Sequence, residues 1–95
     1  MGKFMELING ETPVLVDFFA TWCGPCKVMH PILEELKKSV GDKAVILKVD
    51  IDKNRELASQ YNVASVPTLI VFRKGKVAWR QSGVTQASDL EKVLL

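Results

Sequence analysis

The segment Trp22-Cys23-Gly24-Pro25-Cys26-Lys27 constrains this chain more than any other stretch. It holds both cysteines of the sequence, two residues apart. An apolar run, Val14 to Phe19, leads into it, and a run with helical spacing, Val28 to Val40, leads out. A dithiol at a strand-to-helix junction points to redox chemistry. The helix start presents unpaired N–H groups and the positive end of the helix dipole, and both favour a thiolate at Cys23. Cys26, further into the same turn, is placed to attack the mixed disulfide that Cys23 forms with a substrate.

The remaining composition narrows the setting. A chain of 95 residues predicts one small domain, residues 1–95, with a single core. A net charge of +2 with no basic cluster longer than a few residues gives no reason to expect nucleic acid as a partner. No apolar run approaches the roughly 18 residues of a membrane-spanning helix. The first residues carry neither an apolar signal core nor a myristoylation pattern, because Glu6 stands where Ser or Thr is required. The expected location is the cytoplasm, where a cysteine pair is more often catalytic than structural. His30 lies within two turns of Cys23 and Cys26 and invites a metal reading. A structural zinc site needs four ligands, and the sequence has no other Cys or His. A c-type haem would need His directly after Cys26, where Lys27 stands. The expectation is therefore no metal and a solvated His30.

Taken in order, Phe4 to Asn9 reads as a short helix with Phe4, Leu7 and Ile8 on one face, stopped by Asn9-Gly10. Val14 to Phe19 is a buried strand interrupted by Asp17, a costly carboxylate that suggests a proton-transfer partner for Cys26. The helix from Gly24 carries Met29, Ile32, Leu33, Leu36 and Val40 on its apolar stripe, with a kink expected at Pro31 and an end at Gly41. Ala44 to Asp50 is a second strand, in which the Lys48 stem is placed to pack inward with its ammonium near Asp17. Asp52 or Asn54 caps a third helix that sets Leu57 and Tyr61 on one face. Thr68 to Phe72 and Val77 to Gln81 form a hairpin around Lys74-Gly75. A last helix reads as capped by Ser88 through the box Ser88-Asp89-Leu90-Glu91, with Leu90, Val93 and Leu94 buried. The whole is an α/β fold: a mixed sheet of about four strands with helices on both faces.

The hexapeptide Trp22–Lys27 resembles the active site of the thioredoxin family, and the resemblance continues through Pro31, Asp50, Val66-Pro67-Thr68, Gly75 and Gly83, nearly the whole chain. It implies the thioredoxin fold. It further implies that Asp17 serves Cys26 as general acid and base, that Lys48 approaches Asp17, and that Pro67 is cis and faces the cysteines. The Val66 backbone would pair with an extended substrate strand, a mode that draws affinity from main-chain bonds. One departure stands out. The family begins with a strand before the first helix, and Met1-Gly2-Lys3 is too short to supply it. The strand Val45–Val49 would then keep an open edge, to be met by self-association of an otherwise monomeric chain or by a rearranged N-terminus.

The expected function is protein-disulfide reduction, with Cys23 attacking, Cys26 resolving and Asp17 moving a proton. Trp22, Gly24, Pro25, Val66, Pro67, Gly83 and Val84 would form the docking patch for protein substrates. Electrons would come from a partner reductase, as the family implies, so no bound cofactor is expected. Gly24-Pro25 between the cysteines resembles the reducing branch of the family more than oxidases or isomerases. A binding module without turnover is the reading outside this class.

Overall fold

The computed structural model describes residues 2–95. Its elements are α1 (Gly2–Ile8), β1 (Val14–Phe19), α2 (Gly24–Val40), β2 (Val45–Asp50), α3 (Arg55–Gln60), β3 (Thr68–Arg73), β4 (Lys76–Ser82) and α4 (Ala87–Leu94). A 3-10 turn, Gly41–Lys43, follows α2. Gly41 closes α2 at φ +54, a backbone angle suited to glycine. The helix runs through Pro31 without a break.

The strands form one sheet in the order β2-β1-β3-β4. β1 and β2 run parallel, and α2 supplies the crossover that a parallel pair requires. β3 runs antiparallel to β1 and to β4. The β3–β4 turn uses Lys74 at φ 51 and Gly75 at φ 83, the paired positive angles of a two-residue hairpin. The Gly75 N–H donates to Ile8 O at 2.8 Å, which ties that turn to the end of α1.

Alternation along the strands sends side chains to two cores. Leu15, Leu69 and Val71 meet Met29, Leu33 and Leu36 of α2 and Leu90 and Leu94 of α4. Val14, Val16, Phe18, Ile70 and Phe72 meet Ile8 of α1 and Leu57 of α3, with Phe4, Met5 and Tyr61 packed around them. Tyr61 stands edge-on to Phe72 at 5.1 Å, and Phe4 does so at 5.9 Å. Helices therefore cover both faces of the sheet.

Several expectations need correction. Leu7 is exposed, and Met5 packs in its place, because α1 starts at Gly2 and its inward face is turned accordingly. Ser88 does not cap α4: Gln86 is the capping residue, makes no side-chain bond there, and leaves Ser88 inside the first turn. Asn54 does precede α3, but its amide donates to Asp50 O rather than capping the helix. Along the free side of β2 no strand is paired among the described residues. Met1, part of the stretch expected to be too short for a strand, lies outside those residues; Gly2 and Lys3 belong to α1. The N-terminal residues described thus lie against a sheet face and not along that edge.

Candidate active site

Cys23 occupies the N-cap of α2 with extended backbone angles, φ −89 and ψ 115. Its Sγ accepts a hydrogen bond from the Cys26 N–H at 3.1 Å, which satisfies one of the free donors of the helix start. Pro25, in that first turn, has no N–H to leave unpaired and presets the helical angle. The Cys23 N–H donates to Ala20 O at 3.2 Å, so the approach from β1 is fixed by main chain. Cys23 and Cys26 are joined by a disulfide, with their Cα atoms 5.3 Å apart. Cys26 is fully buried, whereas Cys23 retains 5% exposure.

Three separate stretches converge around this pair. The Val66–Pro67 bond is cis, and Cys23 Sγ lies 3.6 Å from Val66 O. Gly83, at φ +94, donates its N–H to Pro67 O at 2.8 Å. Two residues later the Thr85 N–H donates to the buried Met29 Sδ at 3.4 Å, binding this loop to α2. Gly24, Pro25 and Val84 are exposed. Trp22 is 68% exposed, and its indole N–H donates to Asp52 Oδ2 at 2.8 Å. Asp52 therefore serves the Trp22 ring and not the N-terminus of α3. A groove of about 480 Å³ opens nearby, lined among others by Ile51, Asp52, Arg55 and Val63, and includes neither cysteine. Exchange between sulfurs at a surface needs no enclosed cavity.

Asp17 is the one charged residue buried in the sheet centre. Strand alternation puts it between Leu15 and Phe19, on the side covered by α2. Neither carboxylate oxygen has a hydrogen-bond partner. Burial raises the Asp17 carboxyl from 3.8 to about 6, with the Lys48 ammonium pulling it back down. Lys48 is the register partner of Asp17 on β2, as expected, but its side chain is exposed. Its Nζ lies 3.2 Å from His30 Nδ1 rather than on Asp17. His30 was expected to be solvated. It is half-buried, edge-on to Phe19 with ring centroids 5.8 Å apart. The sequence did carry one signal for it: His30 stands four residues after Cys26, on the same helical face. No cluster of three or more metal-binding side chains occurs among the described residues.

Known proteins place this arrangement. The thioredoxin family model matches residues 2–95. A thioredoxin from Alicyclobacillus acidocaldarius is 43% identical over 92 residues, covering 97% of this chain and 88% of that one. A thioredoxin from Bacillus subtilis is 45% identical over 86 residues, covering 90% and 83%. Among solved structures, a variant thioredoxin from Halobacterium salinarum superposes with a TM-score of 0.89 at 33% identity, covering 99% of this chain and 81% of that one. The oxidised mitochondrial thioredoxin 3 of Saccharomyces cerevisiae gives a TM-score of 0.88 at 31% identity, covering 98% and 86%.

Proposed function

From the premise that this chain belongs to the thioredoxin family, and so is a thiol–disulfide oxidoreductase that reduces protein disulfides, we propose how its own residues divide the work. Cys23 is the attacking thiol. As a thiolate it adds to one sulfur of a substrate disulfide, expelling the other as a thiolate that takes up a proton. Cys26 then loses its proton to Asp17 and attacks Cys23 Sγ. The substrate leaves with two thiols, and the chain keeps the Cys23–Cys26 disulfide. A partner reductase returns two electrons and two protons.

The observation that carries this reading is the position of Cys23 at the N-cap, where Cys26 N–H already points at its sulfur. The same donor and the helix dipole would stabilise a thiolate there. Asp17 suits the proton transfer because its carboxyl titrates at about 6, close to neutral conditions. Lys48 tunes that carboxyl. Trp22, Gly24, Pro25, Val66, Pro67, Gly83 and Val84 receive the substrate chain, with the Val66 backbone pairing to it. Residues 1–95 act as one domain, in the cytoplasm, with a thioredoxin reductase as electron donor.

Brief alkylation of the reduced protein at neutral pH should label Cys23 before Cys26, read by peptide mass. Equal labelling, or Cys26 first, would reverse the roles. Replacing both cysteines by Ser should abolish turnover on a protein disulfide; substrate binding that matters without turnover would favour a binding module instead.

A further inference from the structure

We infer that His30 is a positioning residue: by accepting a hydrogen bond from Lys48, it holds that ammonium off the Asp17 carboxyl. The inference rests on Asp17 being the proton acceptor for Cys26, but only for its consequence in turnover.

The geometry is specific. Lys48 and Asp17 are paired across β2 and β1, on the side of the sheet that α2 covers. Neighbouring strands are about 4.8 Å apart, a span a lysine side chain can bridge. Yet both Asp17 oxygens lack a partner, and the one ion pair within 4.0 Å among the described residues is Lys74–Glu11. Lys48 Nζ is instead 3.2 Å from His30 Nδ1. An ammonium has donors and no acceptor, so this contact is a hydrogen bond in the tautomer that leaves Nδ1 bare. Phe19, two residues from Asp17 on the same strand face, braces the ring edge-on.

An imidazole in this place thus competes with a carboxylate for one cation. Removing the ring frees Lys48 to approach Asp17, and an approaching cation favours the ionised carboxylate. Protonating the ring turns Nδ1 into a donor and breaks the same bond. The ionisable residues around the pair are Asp50 on β2 and, one turn away along α2, Lys27 and Glu34; Cys26 is held in the disulfide. α4 packs on this side through Ala87, Leu90 and Leu94, and its one charged group toward α2 is Glu91, which accepts a hydrogen bond from Ser39.

Carbon-13 NMR of the Asp17 carboxyl, titrated in the oxidised full chain, tests this directly. His30→Ala should lower the Asp17 midpoint by about half a unit or more. Lys48→Met should raise the midpoint, and His30→Ala should add nothing in that background. His30→Asn keeps an oxygen acceptor and should track the wild type. An unchanged or raised midpoint in His30→Ala overturns the inference, as does a lowering that persists without Lys48, or an Asn variant that behaves like Ala. The pH profile of turnover separates the two claims. A midpoint that moves as expected while turnover ignores it leaves His30 in place and removes Asp17 from the mechanism.

Discussion

Asp17 shows how a single residue is held against its own cost. Its carboxyl is buried without a partner and titrates at about 6. The unfolded chain ionises an aspartate near 4, so unfolding is favoured wherever the folded carboxyl must be charged. Below the unfolded value both states are protonated and there is no penalty. The penalty grows between about 4 and about 6 and is complete above that, reaching about 3 kcal/mol at 1.36 kcal/mol per unit. Asp17→Asn should therefore stabilise the fold by up to that amount at pH 7.5, change it little at pH 3, and slow disulfide reduction. Denaturant melts at the two pH values, with turnover on a protein disulfide, check it; a loss of stability at neutral pH would make Asp17 a structural carboxylate. The residue was legible from sequence because an isolated acid in an apolar run has few explanations. The spacing from Cys26 pointed to His30, but its contacts were not legible, because its partners Phe19 and Lys48 come from two other elements and no local pattern joins them.

At the level of elements, boundaries could be read wherever backbone chemistry is local. β1 and α2 fall at the expected residues: the apolar run ends at Phe19, Pro25 opens the helix and Gly41 ends it. α4 starts two residues earlier than its capping box suggested, with Ala87, Leu90 and Leu94 packed in the core. The β3–β4 turn gives a test. Gly75 has φ +83, and a Cβ there would collide with Asn9 Oδ1. The amide side chain can swing away, so the backbone angle carries the cost. Gly75→Ala should lose about 1–2 kcal/mol, the usual penalty for an L-residue in that region. α3 offers another. The two carbonyls just past its end, on Tyr61 and Asn62, are both bonded by the Arg80 guanidinium from β4. Arg80→Met keeps the stem and removes the bonds, and should cost about 1 kcal/mol at this exposed site. Chemical denaturation measures both; a neutral Gly75→Ala would mean that the turn relaxes to another type.

For the molecule as a whole, the mixed sheet with helices on each face was legible, while the assignment of α1 and α3 to one face and α2 and α4 to the other required the packed structure. The free side of β2 bears on assembly. Val45 N–H bonds to Pro13 O and Ile51 N–H to Phe19 O, both toward β1. In a parallel pair alternate residues face opposite ways, so the amides of Ile46, Lys48 and Asp50 point outward. Lys48 in mid-strand blunts this edge without closing it. Weak pairing between copies should appear as a sedimenting mass that rises with concentration, together with slower hydrogen exchange at those three amides. Ile46→Pro removes one outward donor and spares the ladder to β1, so it should suppress both effects. A constant mass with fast exchange at all three would leave the chain a monomer. The bond from Gly83 N–H to Pro67 O has a different reach. It belongs to the main chain, as does the bond from Cys23 N–H to Ala20 O, and neither depends on which side chains decorate the surface above. Val84, Trp22 and Pro25 are exposed on that frame. Divergence at such positions leaves the scaffold that carries the two sulfurs inherited unchanged.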